Sequence, residues 1–249
     1  MPGSANAALI KGLATKARLS EEDRSALAAL PIDELHVQRG QDVLREGDRP
    51  SRSALLISGL TCSYKTLASG RRQITAFYHA GDVPDLQSLH LDVADNSILA
   101  LVDSHIGYIR HRDLEDISAK YPTVSKALWR ATLVDAAIYR EWTTNLGQRD
   151  AMSRMAHLFC ETLVKQQVIG LASGDSCMFP VTQAELADAL GLSVVHVNRS
   201  LMELRASGTI SFERAELIVH DLGALEKQGG FDRSYLHLRM DDHAPHKLK

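Results

Sequence analysis

Apolar and polar positions repeat with two different periods along this chain, and the change between them separates its regions. Between about residues 35 and 110 the apolar runs are short and are divided by glycines and polar turns. These runs are Leu55 to Ile57, Ile74 to Tyr78, Ile98 to Val102 and Ile106 to Ile109. Because Gly59, Gly70 and Gly81 fall eleven residues apart, strands of similar length are turned at regular intervals. The pattern predicts a compact antiparallel β-roll or barrel.

A longer period of three to four residues begins after Tyr121-Pro122 and continues without a helix breaker until Gly147. This spacing predicts one long helix. Its apolar stripe consists of Val124, Leu128, Ala131, Val134, Ile138 and Trp142. Further apolar residues on its flanks leave two interpretations open: the helix is buried within one chain, or one side packs on the roll while another pairs with a second copy. Asp150 can then cap a second helix, from Ala151 to about Lys165.

The segment 182–206 has the pattern of a helix-turn-helix. Thr182 and Glu185 have the spacing of a capping box, which starts a helix. Gly191 supplies the left-handed residue that ends this helix, and Ser193 can cap the next one. The second helix has a buried stripe of Val197, Leu201 and Leu204. On its opposite side it presents Val194, Val195, Asn198, Arg199 and Met202.

The outward side of the second helix carries residue types that recognise bases. An asparagine amide pairs bidentately with adenine and an arginine guanidinium with guanine, and Asn198 and Arg199 provide these groups. Other polar side chains near the helix starts could contact phosphates and fix the register. The expected DNA contacts are Thr182, Gln183, Ser193, Val194, Val195, His196, Asn198 and Arg199. A two-stranded wing, Thr209 to Phe212 and Leu217 to Val219, follows. The alternative is a helical hairpin for protein contacts, with Arg199 as a solvated charge.

Composition and charge limit these interpretations. The chain has 249 residues, of which 45% are hydrophobic and 24% charged, which is sufficient for two folded domains. Its net charge of −3 excludes general coating of nucleic acid, so a DNA contact has to come from a local cluster. Cys62, Cys160 and Cys177 are far apart and favour packing in a reducing compartment. Without a signal-peptide or membrane-helix pattern, we expect a cytoplasmic protein and no membrane contact.

The helix-turn-helix resembles that of the Crp/Fnr family of bacterial regulators, most clearly from Thr182 to Ser193 and in Val195-His196-Val197-Asn198-Arg199. The resemblance covers nearly all of residues 20 to 222. It implies an α+β fold: an N-terminal antiparallel β-roll (double-stranded β-helix), a long dimerisation helix and a C-terminal winged helix-turn-helix. The expected parts are 1–120 for the roll, 121–147 for the dimerisation helix, 148–240 for the DNA-binding domain and 241–249 for a flexible tail. The resemblance also implies that the apolar stripe of the long helix contacts a second chain.

Cofactor ligands of the better-known branches of this family are missing or unpaired here. Members that respond to cyclic AMP hold its phosphate with an Arg-Ser or Arg-Thr pair. The corresponding region here, after Gly81-Asp82, ends in Asn96-Ser97, so we expect little or no cyclic-nucleotide affinity. Residues 1–61 contain no cysteine, which excludes an N-terminal iron-sulfur cluster. The nominal haem ligands are His79, His90, His105 and His111, but nothing orients a pair, and haem is not expected.

Two single residues qualify the resemblance. Many family members have a glutamate at the position of Val195, where it accepts from cytosine, so the half-site read by this chain is expected to differ. The valine could instead pack on a thymine methyl group. Cys177 could act as an oxidation switch if its thiolate were stabilised. The overall pattern resembles members without an evident cofactor.

Taken together, the sequence predicts a DNA-binding transcription regulator that acts as a homodimer on an inverted repeat in double-stranded DNA. RNA polymerase is a further expected partner if the protein is an activator. A signal at the roll would change the placement of the long helix and of the hinge 147–150. The alternative is a small-ligand sensory module that acts through protein contacts without binding DNA. No enzyme motif occurs, so neither catalytic residues nor a metal site are predicted.

Overall fold

The computed structural model describes residues 4–239 and begins with two helices, α1 (Ala5–Ala14) and α2 (Glu21–Ala28). α1 was not predicted from the sequence. Its Leu9 is fully buried, and a Cβ added at Gly12 would lie 1.9 Å from the carbonyl oxygen of Gly81. The absence of a side chain at Gly12 therefore lets α1 pack directly on the backbone of the roll.

The β-roll consists of two open antiparallel sheets. One contains β1 (Asp33–Val37), β3 (Arg52–Ser58) and β7 (Ser104–Arg110) in the order β1-β7-β3. The other contains β2 (Asp42–Leu44), β4 (Thr61–Thr66), β5 (Arg72–Tyr78) and β6 (Ser97–Ala100) in the order β2-β6-β4-β5. Leu56, Tyr78 and Ile106 belong to one buried cluster that joins both sheets, as expected for sheets that pack face to face. The roll predicted from the strand pattern is confirmed.

Two helices follow the roll, α3 (His111–Lys120) and α4 (Pro122–Gln148). α3 was not predicted, whereas α4 is the long helix expected from the spacing of its apolar residues. It has 27 residues and proline in its first turn, where the missing amide hydrogen is not required by the helix. α4 packs on the roll, on α3 and on the C-terminal region.

The apolar stripe expected to contact a second chain is buried inside this chain. Its first half packs with α1, α2, α3 and the roll, and its second half packs with the roll and the helix that follows α4. Its six members, each at most 7% exposed, are Val124, Leu128, Ala131, Val134, Ile138 and Trp142. The large apolar side chains exposed on α4 are Trp129 (63%) and Leu133 (51%). Within the single chain the six residues therefore have a packing role, and their assignment to a dimer contact stays a prediction. Pairing of two chains through α4 stays a prediction.

The C-terminal region is a winged helix-turn-helix. Its helices are α5 (Ala151–Val168), α6 (Gln183–Leu190), α7 (Val194–Ala206) and α8 (Leu222–Gly229). Its strands are β8 (Ser176–Met178), β9 (Ile210–Glu213) and β10 (Glu216–Val219), in the order β8-β10-β9. The predicted wing thus has a third strand, and α8 is a further element that was not expected. The predicted helix-turn-helix is confirmed.

One apolar cluster continues from the roll into the winged helix-turn-helix. It includes Ile74 and Phe77 of β5 together with Phe159, Phe179 and Leu186 of the C-terminal region. The Phe77 ring lies edge-on to that of Phe179, with centroids 5.1 Å apart. The two regions therefore share a buried core across the boundary expected at residue 148.

Among residues 4–239, no helix combines the length and the apolar character needed to cross a membrane. The tail expected at 241–249 lies outside the described residues.

Candidate nucleic-acid interface

The first helix of the motif, α6, begins and ends where its capping residues require. The Thr182 hydroxyl oxygen accepts a hydrogen bond from the Glu185 amide at 3.1 Å, and the Glu185 carboxylate accepts one from the Thr182 amide at 2.6 Å. This reciprocal pair is the predicted capping box. Gly191 ends α6 with a φ of 62°, in the left-handed region that glycine adopts without a steric penalty. The chain therefore turns sharply into α7.

The second helix, α7, is oriented by its buried side. Ser193 caps it by accepting a hydrogen bond from the His196 amide at 3.3 Å. Val197, Leu201 and Leu204 are at most 3% exposed, and α7 packs on α5 and α6. Because residues three and four apart share one face of a helix, burial of this stripe turns the opposite side of α7 to the surface.

The outward side of α7 forms a continuous exposed surface, called here the reading face. It is lined by Gln183, Val194, Val195, Asn198, Arg199, Met202, Glu203 and Ala206. Val195 is 77% exposed, and the Arg199 side chain is 66% exposed. Five of the eight expected DNA contacts thus lie together. The other three, Thr182, Ser193 and His196, are exposed near the starts of α6 and α7.

Two contacts hold the polar groups of the reading face. The Asn198 side-chain amide donates to the Gln183 side-chain oxygen at 3.4 Å, which links Gln183 of α6 to α7 across the turn. The Arg199 Nε lies 3.9 Å from the Glu203 carboxylate. Glu203 was not among the predicted residues, although its spacing of four residues from Arg199 is the usual signal for such a pair. The carboxylate offsets part of the positive charge of Arg199.

The sides of the reading face offer donors for phosphates. Thr182 and Ser193 use their hydroxyl oxygens as caps. The Thr182 hydroxyl retains a hydrogen to donate, whereas the Ser193 hydroxyl also lies 3.0 Å from the His196 Nδ1. The wing turns at Arg214 and Ala215, with φ values of 49° and 67°, as in the two-residue turns that suit hairpins. Arg214 is exposed at this tip. It was not predicted as a DNA contact, since a single arginine in a loop has no distinctive pattern.

A separate cavity of about 300 Å³ lies between the roll and α4. Its polar lining includes Lys65, Thr75, Asn96, Asp135 and Tyr139. Asn96 is 8% exposed, and its side-chain nitrogen has no hydrogen-bond partner within the described residues. Burial raises the pKa of Asp135 to about 6. The lining contains one lysine and no arginine, so the cavity offers a polar environment without a guanidinium to hold a phosphate.

The four histidines considered as haem ligands have different surroundings. His79 is buried, and burial lowers its pKa to about 3. His105 contacts Glu34 at 2.9 Å and stacks on His36. The His111 ring lies 3.1 Å from the Ser88 hydroxyl, and His90 is exposed. Within the described part of the chain, no group of three His, Cys, Asp or Glu side chains could hold a metal ion.

All three cysteines are free and buried, as expected for packing residues. Burial raises the pKa of the Cys62 and Cys177 thiols to about 12 and raises that of Cys160 as well. A thiol is reactive as the thiolate. The surroundings of Cys177 therefore oppose the oxidation switch considered from the sequence.

Comparison with protein families gives two matches that correspond to the two ends of the chain. Residues 34–121 match the cyclic nucleotide-binding domain. Residues 153–228 match the Crp-like helix-turn-helix domain. The second match includes α6, α7 and the wing.

Individual proteins are similar over most of their length. FnrL of Cereibacter sphaeroides, a transcriptional activator protein, is 28% identical over 230 residues, which cover 90% of each chain. The fumarate and nitrate reduction regulatory protein of Escherichia coli K12 is 24% identical over 198 residues, covering 80% of this chain and 79% of that one.

Solved structures show the same fold. FixK2 from Bradyrhizobium japonicum superposes with a TM-score of 0.72 at 24% identity, covering 80% of this chain and 98% of that chain. A CooA mutant from Carboxydothermus hydrogenoformans gives 0.65 at 18% identity, covering 80% and 88%.

Proposed function

Because the chain belongs to the Crp/Fnr family of transcription regulators, we propose that it is a cytoplasmic homodimer that reads an inverted repeat in double-stranded DNA. The reading face is the observation that carries this proposal. It is exposed, it lies on the second helix of a helix-turn-helix, and it presents the amide of Asn198 beside the guanidinium of Arg199. Such a helix fits the major groove, where these groups distinguish adenine and guanine.

The exposed side of α4 supports pairing of two chains. Trp129 and Leu133 lie one helical turn apart on α4 and are 63% and 51% exposed, in contrast to the buried stripe of the same helix. A matching helix from a second copy would remove both from water, which favours association. Two-fold pairing places two copies of α7 in successive major grooves, about 34 Å apart. If the protein activates transcription, RNA polymerase is a further partner.

The cavity between the roll and α4 is the proposed place where a signal acts. Its walls come from both elements, so an occupant would contact the roll and the pairing helix together. A ligand shifts an equilibrium only by binding one conformation better than another. An effector with groups for the unpartnered Asn96 amide would thus favour one placement of the roll on α4 and change the fraction of dimers with correctly spaced reading faces.

Selection of bound duplexes from a random pool tests the proposal. We expect an enriched inverted repeat. In Arg199→Ala, one base position in each half-site should lose its preference, at a cost of about 1–3 kcal/mol. Arg214→Ala is the matched control, because it removes the same side chain from the wing tip. This variant should weaken binding about equally for all sequences. Unchanged selection by Arg199→Ala contradicts the reading role, and no enriched duplex at all would favour a sensory module that acts through protein contacts.

A further inference from the structure

Two arginines of the roll contact α6 of the helix-turn-helix on the side away from the reading face. We infer that Arg39 and Arg72 are positioning residues for DNA recognition: they hold α6 on the roll and thereby set the direction in which the reading face points. The inference rests on the proposed DNA binding and concerns the orientation of the site, since neither arginine belongs to the reading face.

The contacts are two ion pairs and one hydrogen bond. Arg72 Nε lies 2.8 Å from the Asp188 carboxylate, and Arg39 Nη2 lies 3.0 Å from that of Glu185. Between them, the side-chain amide of Gln73 donates to the Ala189 carbonyl oxygen at 3.2 Å. Asp188 and Glu185 are 29% and 11% exposed, so both carboxylates lie largely within the contact.

The three contact points of α6 form one stripe. Residues 185, 188 and 189 are three and four positions apart and share a helix face. Gln183 precedes Glu185 by two positions, which places it on about the opposite side of the helix. Gln183 indeed contacts Asn198 of the reading face at 3.4 Å. The roll therefore holds α6 without covering the surface proposed to bind DNA.

The ion pairs lie beside the apolar core that joins the roll to the C-terminal region. That core contains Ile74 and Phe77 of β5 and Leu186 and Leu190 of α6. An apolar contact is not directional, whereas charged pairs at its edge fix the register of two surfaces. We therefore assign the orientation of α6 to the arginines and most of the attachment to the apolar residues.

The β4–β5 hairpin that carries Arg72 and Gln73 also forms a wall of the cavity between the roll and α4, because Lys65 and Thr75 line that cavity. A ligand in the cavity would contact the same hairpin that holds α6. The β4–β5 hairpin would therefore connect the proposed signal in the cavity to α6, and through α6 to the reading face.

The test compares two duplexes, one with the selected inverted repeat and one with a scrambled second half-site. Correct orientation matters for two linked half-sites, since both reading faces have to fit at once, and matters less for one. We expect Arg72→Glu to reduce the affinity ratio between the duplexes by about fivefold. The charge swap Arg72→Glu with Asp188→Arg should restore most of the ratio. Arg71→Glu, the same change at the exposed neighbouring residue, should leave it within about twofold.

Each result has one meaning. An unchanged or raised ratio in Arg72→Glu, or no recovery in the charge swap, would overturn the positioning role while DNA binding itself stands. If the wild-type protein binds neither duplex, the proposed function fails, and this inference fails with it. The unfolding midpoint separates positioning from folding, because a positioning residue should change the ratio with little change in stability. Should Arg72→Glu not fold, Arg72→Gln and Arg39→Gln remove the pairs without introducing repulsion.

Discussion

Two carboxylates, one in the roll and one on α4, connect stability to pH. Asp85 is 2% exposed and accepts a hydrogen bond from the Ala54 amide at 2.7 Å. Burial raises its pKa to about 7, and burial also raises the pKa of Asp135 to about 6. Both groups are easier to protonate in the folded state than in the unfolded chain. Their contribution to stability is therefore complete below about pH 4 and is lost as the pH rises towards about 7.

Replacing Asp85 by asparagine should remove its part of this pH dependence. The amide oxygen of asparagine can still accept from Ala54, and it carries no charge to desolvate. We expect the free energy of unfolding of the wild type to fall between about pH 5 and pH 7 by up to about 1.4 kcal/mol per pH unit more than that of Asp85→Asn. Urea unfolding across this range measures the difference. Asp116→Asn, at an exposed carboxylate, is the control, and equal slopes in all three proteins would contradict the prediction.

Short sequence signals at single residues were sufficient to place the ends of the recognition motif. Thr182, Glu185, Gly191 and Ser193 act as the capping rules predict, because these interactions involve neighbours within four residues. The raised pKa of Asp85 could not be foreseen in the same way. It depends on burial by strands and helices that are distant in the sequence.

At the level of elements, the turn between α6 and α7 depends on Gly191. Its φ of 62° lies in the left-handed region, and a Cβ there would lie 3.2 Å from a methyl carbon of Leu146. An alanine would therefore meet backbone strain and crowding from α4 together. We expect Gly191→Ala to lower the free energy of unfolding by about 1–2 kcal/mol.

Gly223→Ala is the matched control for this prediction. Gly223 lies in the first turn of α8, where an added Cβ meets its nearest atom at 3.6 Å, an ordinary contact. There alanine should be neutral or stabilising by up to about 1 kcal/mol, since it reduces the freedom of the unfolded chain. Chemical denaturation of both variants checks the pair. Equal effects of the two substitutions would show that the left-handed turn is not the cause.

Elements were predictable from the sequence where their apolar pattern extended over many residues. The element that covers each apolar face was not predictable. The period of α4 identified its stripe, but the same stripe suits a second chain, the roll or α5. The structure shows α1, α2, α3 and the roll on the first half of the stripe and the roll and α5 on its second half. The six residues from Val124 to Trp142 are therefore already buried within one chain. Shorter elements gave weaker signals: β8 has three residues, and α3 has only Leu114 and Ile117 as buried apolar side chains.

The whole molecule is joined by contacts between residues that are far apart in the sequence. Arg39 and Glu185 are separated by 146 positions, and Arg72 and Asp188 by 116. The family resemblance led to the correct order of roll, long helix and winged helix-turn-helix. It did not specify these pairs, because each arginine alone has the pattern of an ordinary surface charge. Only the folded structure shows that the roll forms two ion pairs with α6.

The proposed dimer predicts a specific effect of a charge at Leu133. Leu133→Asp places a charge on the exposed side of α4, where pairing would have to bury it without a partner. We expect the variant to sediment as a monomer at concentrations where the wild type is a dimer. Its affinity for the selected inverted repeat should fall by at least about tenfold, because one chain supplies one reading face. Its affinity for a duplex with a single half-site should remain that of the wild type, since α7 is distant from the change in sequence and fold. Leu171→Asp, at a leucine of equal 51% exposure outside α4, should remain a dimer. A dimeric Leu133→Asp protein would place the pairing surface elsewhere.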